Sequence, residues 1–101
     1  MSIKKQYLKK SPVCKVTFTY PRQAAASINT AHVVGDFNDW NTAASPMKKL
    51  KNGSFAITLT LARAREYQFR YLLDHQRWDN DWAADKYLPN EHGGENSVAV
   101  V

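Results

Sequence analysis

The chain has 101 residues and a formal net charge of +5, and 44% of its side chains are hydrophobic. This length predicts one domain and excludes a (β/α)₈-barrel enzyme, which needs roughly 200 residues or more. Four prolines and four glycines are too few for a disordered or collagen-like chain, and one cysteine excludes an internal disulfide.

The charge is unevenly distributed along the chain. Residues 1–10 carry four lysines and no acid, whereas residues 74–101 carry two basic and six acidic residues. This pattern differs from that of a uniformly basic nucleic-acid-binding domain. We predict a basic flexible leader at residues 1–10 and one folded domain at residues 11–101. The lysines precede no apolar signal-peptide core, and no apolar stretch approaches about 20 residues, so we predict a cytoplasmic protein with no membrane partner.

Alternating apolar and polar residues predict β-strands along most of the chain. Residues 23–27 favour a loop or a single helical turn. Asn52-Gly53 predicts a β-hairpin, because both residues tolerate positive φ. The prolines fall between the predicted strands. The strands are predicted at residues 14–20, 31–36, 47–51, 54–62, 67–73 and 97–100.

Six to eight short strands without a long helix predict an all-β fold. An antiparallel β-sandwich fits best, and a small barrel is the alternative. Cys14 is expected to join the core as a small buried hydrophobic residue. The strand phases predict a core made of Val16, Phe18, Val33, Phe37, Phe55, Ile57, Leu59, Tyr67, Phe69, Tyr71 and Val98.

The three tryptophans fall outside the predicted strands. Trp40 follows residues 35–39, and Trp78 and Trp82 lie in a loop rich in Asp and Asn after residues 67–73. An indole in a polar loop either covers the core or binds a ligand. The apolar C–H face of a pyranose fits an indole, and nearby amides and charges fit its hydroxyls. The same residue types could also stack nucleic-acid bases.

A set of motifs in a fixed order carries a family resemblance. The motifs are Gly35-Asp36-Phe37-Asn38-Asp39-Trp40-Asn41, Pro46-Met47, the Asn52-Gly53 hairpin, Tyr67-Gln68-Phe69-Arg70-Tyr71, Trp78 and Gly93-Gly94-Glu95-Asn96-Ser97-Val98. Together they resemble carbohydrate-binding module family 48, which includes the isoamylase N-terminal domain and the glycogen-binding domain of the AMP-activated kinase β subunit. The resemblance covers residues 13–101. It implies an immunoglobulin-like (early-set) sandwich that binds glycogen, starch or maltooligosaccharides without catalysis or a cofactor.

The resemblance also implies site residues. Trp40 and Trp78 resemble the two tryptophans on which the sugar stacks. Arg70 occupies the place of a lysine that reaches glucose hydroxyls, and its outward phase fits that role. Glu95 and Asn96 are the candidates for an asparagine that the family has before the last strand.

Three features depart from the kinase-type pattern. Residues 91–94 replace a leucine and a threonine that precede the asparagine, and Asp74-His75 stands where an Asp-Gly turn is usual. Trp82 is an additional aromatic residue, similar to one in the bacterial isoamylase-like subgroup. It is expected either to extend the stacking platform or to cover the core.

Carboxylates in the tryptophan-rich loop suggest two other chemistries. Asp79, Asp81 and Asp85 could supply a glycosidase pair, but a sandwich of this size rarely forms the required cleft. Asp79-Asn80-Asp81 begins like an EF-hand loop, yet Ala84 replaces the glycine required at the sixth position. We therefore predict turn-forming or solvated acids.

Three further alternatives concern metals and partners. Zinc would need His32, His75, His92 and Cys14, whose spacing matches no zinc motif. Nucleic acid is disfavoured because the loop that contains Trp78 and Trp82 is acidic. The alternative function is a docking or regulatory domain for a glycoside hydrolase or another protein of glycogen metabolism, in which the sugar site has decayed.

Overall fold

A computed structural model describes residues 3–25, 27–91 and 93–101. Two antiparallel sheets pack face to face, which confirms the all-β sandwich predicted from the sequence. No helix within the described ranges is long and apolar enough to cross a membrane. In chain order the strands are β1 (Ile3–Tyr7), β2 (Val13–Tyr20), β3 (Ala31–Gly35), β4 (Lys48–Lys49), β5 (Phe55–Ala62), β6 (Glu66–Leu73), β7 (Arg77–Asp79), β8 (Lys86–Pro89) and β9 (Glu95–Val100).

The first sheet has the strand order β1-β2-β5-β4, and the second has the order β3-β6-β9-β8. The long strand β6 organises the second sheet. β3 pairs with β6 along one edge, while β9 and then β7 pair with successive parts of its other edge. The outer face of β6 is therefore flanked on both sides, and this is where the candidate site lies.

The hairpin predicted at Asn52-Gly53 is present between β4 and β5. Its bend is a four-residue turn in which the Gly53 N–H donates to the Leu50 carbonyl oxygen at 2.9 Å. Gly53 has a φ of +91°. The short helical turn predicted near residues 23–27 is a single turn, α1 (Arg22–Ala25).

Aromatic rings from both sheets meet in the core. The Phe18 and Phe69 ring centroids lie 4.9 Å apart, and those of Tyr20 and Tyr71 lie 5.3 Å apart. Aromatic pairs in this geometry add stability beyond their buried area. Of the predicted core residues, Val16, Phe18, Val33, Phe55, Tyr67, Phe69 and Tyr71 are buried in the core with Cys14, and Phe37, Ile57 and Leu59 pack against it.

The phase predicted for the last strand is wrong. Val98 is fully buried, but it pairs with Gln68 on the outer face of β6, and Ala99 joins the core instead. Ser97, also on the inner side, is fully buried. Its hydroxyl accepts the Asp81 backbone N–H and donates to Asn80, with heavy-atom distances of 2.8 Å each. A small polar residue can face inward here because both hydrogen-bonding roles of its hydroxyl are satisfied.

The flexible leader predicted at residues 1–10 is also corrected. Ile3–Tyr7 forms the edge strand β1, which pairs with β2 along its length. Ile3 is buried, and the Lys5 ammonium lies 2.6 Å from the Asp85 carboxylate. The lysines conceal the strand in the sequence because they line an edge, where charged side chains oppose pairing with other chains.

One short strand, β7, occupies part of the region predicted as a tryptophan-rich loop, and a second, β8, follows it. Trp78 lies in β7, opposite Leu72 of β6, and only Trp82 lies in the following loop. Pro89, expected between strands, is the last residue of β8. Its missing N–H is tolerated because β8 is an edge strand of the sheet.

Candidate functional site

Trp40 is held by an irregular segment that follows β3. A 3₁₀ turn, Asp36–Asn38, begins next to Gly35, where a Cβ atom would lie 2.4 Å from the Gln68 carbonyl oxygen. Only glycine permits such a close approach to β6. The Asp36 carboxylate accepts the Gln68 backbone N–H at 2.8 Å and the Trp40 indole N–H at 2.9 Å. One carboxylate therefore connects the indole to the central strand.

The backbone at Trp40 is strained. Asp39 and Trp40 have φ values of +55° and +57°, in the left-handed region that costs non-glycine residues about 1–2 kcal/mol. The Asn38 side chain supports the turn, because its oxygen accepts the Gly35 N–H at 3.1 Å and its amide donates to the Ser45 hydroxyl at 3.0 Å. Strain of this kind persists where surrounding contacts enforce it, and it often marks a functional site.

Trp78 is held by a regular hairpin. The turn between β6 and β7 contains Asp74 and His75, with φ values of +52° and +57°. Two successive positive φ angles are typical of the turn that best matches the twist of a hairpin. The hairpin places Trp78 beside Leu72 on the outer face of the second sheet. The indole is 39% exposed, which leaves part of its surface accessible to a ligand.

Asp74 stabilises this turn. Its carboxylate accepts the backbone N–H groups of Thr30 at 2.9 Å and Asn29 at 2.8 Å. These hydrogen bonds lower the pKa of Asp74 below its usual value, and nearby Arg77 contributes in the same direction. The charged carboxylate thus joins the hairpin that carries Trp78 to the segment before β3.

Arg70 lies between the two tryptophan-bearing elements. It projects from the outer face of β6, opposite Val34 of β3. Its guanidinium carbon is 5.9 Å from the centre of the Trp78 ring, within the range of a cation–π contact. Among the described residues its buried Nε atom has no hydrogen-bond partner. A buried donor without a partner is costly, and a ligand oxygen could satisfy it.

Three side-chain amides, from β6, β9 and the turn before β9, form a hydrogen-bonded chain beside Arg70. The Asn96 amide donates to the Gln68 side-chain oxygen at 3.1 Å, and the Asn90 amide donates to the Asn96 side-chain oxygen at 3.3 Å. The Asn90 side-chain oxygen accepts the Gly94 N–H at 3.1 Å, so the turn between β8 and β9 positions the chain of amides. Each amide offers both donors and acceptors.

The tryptophan, arginine and amide side chains described above line an open groove of about 730 Å³. The groove brings together four residues predicted from the sequence: Trp40, Arg70, Trp78 and Asn96. Sequence reasoning missed five others. Of these, Gln68 shares the outward phase of Arg70 and could have been identified on that basis. The missed lining residues are Asp36, Gln68, Pro89, Asn90 and Glu91.

Two predicted site residues, Glu95 and Trp82, do not line the groove. Glu95 opens β9 next to Asn96, and adjacent residues of a strand point to opposite faces. Trp82 lies in the loop between β7 and β8 and is 66% exposed, so it does not cover the core.

A buried network lies beneath β7. The Tyr71 hydroxyl donates to the Asp81 carboxylate with an O···O distance of 2.6 Å, and the Tyr20 hydroxyl donates to Asp79 at the same distance. Burial raises the pKa of Tyr71 well above its usual value, and Asp81 adds to the shift. Burial, assisted by Asp79, raises the pKa of Tyr20 to about 12. The network connects β7 and the next loop to both sheets.

The remaining candidate groups have contacts elsewhere. Asp85 pairs with Lys5 and accepts the Val100 N–H at 2.7 Å. The His32 and His75 rings lie 4.6 Å apart. Within the part of the chain that the structure describes, no group of three or more His, Cys, Asp and Glu side chains could hold a metal ion. His92, considered above for zinc, lies outside the described residues.

Comparison with known proteins gives one family match. A search of curated protein sequences found no match. The model of the family described as carbohydrate-binding module 48 (isoamylase N-terminal domain) matches residues 15–88. This range contains Trp40, Arg70 and Trp78 and ends before Asn90 and Asn96. The match spans most of the chain, and the protein therefore belongs to the carbohydrate-binding module 48 family.

Proposed function

We propose that the groove binds α-glucan chains, such as glycogen, starch or maltooligosaccharides, without catalysing a reaction. The observation that carries this proposal is the juxtaposition of Trp40, Arg70 and Trp78 in one groove on the outer face of the second sheet. Family membership supports carbohydrate as the ligand class.

The two indoles provide the apolar part of the proposed site. Trp40 is half-buried and Trp78 is partly exposed, so each offers a ring face while its position is fixed by the protein. The C–H face of a glucose unit can stack on such a ring, because aromatic rings bury area at a small cost in side-chain entropy.

The polar residues provide the hydrogen-bonding groups of the proposed site. The unpartnered Arg70 Nε can donate to a sugar oxygen, and the amides of Gln68, Asn90 and Asn96 can exchange their mutual hydrogen bonds for bonds to hydroxyls. Asp36 remains engaged with the Trp40 indole. A neutral polyol satisfies these groups without bringing a new charge into the groove.

The charge of the lining favours a neutral ligand. Arg70 is accompanied by the acidic residues Asp36 and Glu91. An anionic polymer would therefore be repelled by at least as much charge as attracts it. Because an open groove buries only part of a hydrated chain, we expect a dissociation constant on the order of 10 μM to 1 mM.

A fluorescence titration tests the proposal. Tryptophan emission is followed while maltoheptaose or β-cyclodextrin is added, with cellohexaose as the control for linkage. We expect a saturable change with the α-glucans only. Trp40→Ala and Trp78→Ala should each weaken binding about tenfold or more, by analogy with a nucleic-acid base stacked on one aromatic ring, which contributes about 1–3 kcal/mol.

Trp82→Ala is the matched control, because Trp82 does not line the groove. This variant should retain the affinity of the wild type. Equal losses in all three variants, or no response to α-glucan at several millimolar, would contradict the proposal. The second result would favour a docking or regulatory domain with a decayed sugar site.

A further inference from the structure

Basic and acidic residues are concentrated in different parts of this molecule. Residues 1–35 and 40–65 contain eleven of the fourteen Lys and Arg residues and none of the nine Asp and Glu residues. All four strands of the first sheet lie in these acid-free segments. The groove lies on the outer face of the second sheet. The basic outer face of the first sheet therefore points away from the groove.

The outer face of the first sheet is built from lysines and threonines. Lys4 of β1, Lys15 of β2 and Lys48 of β4 are exposed. Lys15 lies on the outer face because its neighbours along β2 are buried in the core, and the strand register places Lys4 and Lys48 on the same face. Hydroxyls lie between the lysines, and two of them bond across the strands, with Thr17 and Thr58 oxygens 2.8 Å apart. The threonines of this face are Thr17, Thr19, Thr58 and Thr60.

Among the residues that the structure describes, these three lysines form no ion pair with an acidic side chain. The ion pairs of the described residues are Lys5 with Asp85 and Lys86 with Glu66, and neither includes Lys4, Lys15 or Lys48. Like charges on one face repel one another and create a positive potential over it. An external carboxylate surface would remove this repulsion.

We propose that the outer face of the first sheet is a docking surface for an acidic face of another protein. The surface consists of Lys4, Lys15 and Lys48 with the intervening threonines. Ammonium groups and hydroxyls together can bond carboxylates in a plane. Complementary charge of this kind also speeds encounter and sets orientation.

The composition of the surface favours a protein over other anionic partners. Its outward-facing strand residues include no aromatic ring on which a nucleic-acid base could stack and no arginine to grip a phosphate with two hydrogen bonds. They also include no large apolar side chain of the kind that inserts into a bilayer surface. The face instead offers ammonium groups and hydroxyls, which can bond the exposed carboxylates of an acidic protein surface.

Because the two surfaces lie on opposite sheets, the partner and a glucan chain can bind at the same time. Binding to the basic face does not depend on the proposed sugar site. The domain would then connect an acidic protein to a polysaccharide.

Binding of fluorescently labelled poly-L-glutamate, measured by anisotropy at low and physiological ionic strength, tests the proposal. The triple variant Lys4→Gln/Lys15→Gln/Lys48→Gln should bind about tenfold more weakly than the wild type, since each exposed ion pair contributes a fraction of a kcal/mol. The matched control Arg65→Gln/Arg77→Gln/Lys86→Gln changes net charge equally but lies off this face, and it should bind within about twofold of the wild type.

Three outcomes would overturn the proposal. Equal losses in both triple variants would mean that net charge alone attracts the probe. Tighter binding to a short duplex DNA, or to phosphatidylserine vesicles, than to poly-L-glutamate would assign the face to another partner class. Trp78→Ala should lose maltoheptaose but retain poly-L-glutamate, so failure of this proposal is distinguishable from failure of the sugar site.

Discussion

The two tryptophans of the groove are positioned by opposite means. Trp40 depends on a local, irregular segment with a strained backbone and one hydrogen bond from its indole to the exposed Asp36. Trp78 belongs to a paired strand, and the part-buried Tyr20–Asp79 and buried Tyr71–Asp81 hydrogen bonds beneath it connect this region to the sandwich. Damage near Trp40 should therefore affect binding first, whereas damage beneath Trp78 should affect the whole fold.

The largest effect is expected from Tyr71→Phe. The substitution removes the hydroxyl that donates to the fully buried Asp81 carboxylate, and hydrogen bonds to charged groups contribute about 1.5–3 kcal/mol. The free energy of unfolding, measured with urea, should fall by about 2 kcal/mol. Tyr7→Phe, at an exposed tyrosine, should change it by less than about 0.5 kcal/mol. Equal free energies of unfolding for the two variants would show that the network beneath Trp78 does not stabilise the whole fold.

A second effect concerns alkaline pH. The pKa of Tyr20 is raised to about 12, so the folded protein binds a proton that the unfolded chain releases near pH 10. The stability from this group is complete below pH 10 and is lost as the pH rises toward 12. The stability of the wild type should fall more steeply in this range than that of Tyr20→Phe, measured by urea unfolding at each pH. Identical slopes would show that burial and Asp79 do not raise the pKa of Tyr20 in the folded protein.

On the Trp40 side, we expect a binding defect without unfolding. Asp36→Ala frees the indole and leaves the Gln68 N–H without its acceptor, so maltoheptaose affinity should fall about tenfold while stability falls by less than about 1 kcal/mol. Asp36→Asn keeps one acceptor oxygen and should restore part of the affinity. A large loss of stability would mean that this segment, too, supports the whole fold.

The smallest effect is expected at the turn that carries Trp78. His75 has a φ of +57°, which glycine adopts without strain, so His75→Gly should raise the free energy of unfolding by about 0.5–1 kcal/mol. Gln76→Gly is the control at the neighbouring position and should lower it. A decrease for His75→Gly would show that the ring contact with His32 outweighs the backbone strain.

The sequence predicts the long strands of the sandwich well where only one face of the strand is buried. The strands β2 and β5 alternate clearly because one face packs in the core and the other meets solvent, and β6 alternates in the same way until Leu72 and Leu73, which are both buried. β7 and β8 were missed because they are short and polar and depend on the strand beside them. β1 was hidden by lysines that belong at an edge.

The candidate site could be predicted in part. Trp40, Trp78, Arg70 and Asn96 meet in one groove. The family resemblance implies all four, and the outward strand phase supports Arg70. Asn90 and Asp36 act through tertiary hydrogen bonds that no local pattern encodes. The inward serine at position 97 reversed the apparent phase of β9, because its partners Asn80 and Asp81 lie 17 and 16 residues away.

The three indole N–H resonances of the protein give the most direct test of the central claim. Their ¹⁵N–¹H correlation spectrum can be followed during titration with maltoheptaose and assigned by the three Trp→Ala variants. We expect the Trp40 and Trp78 signals to shift together along one saturating curve while the Trp82 signal stays in place. A shift confined to Trp82, or no shift of any indole at saturating sugar, would contradict the central claim.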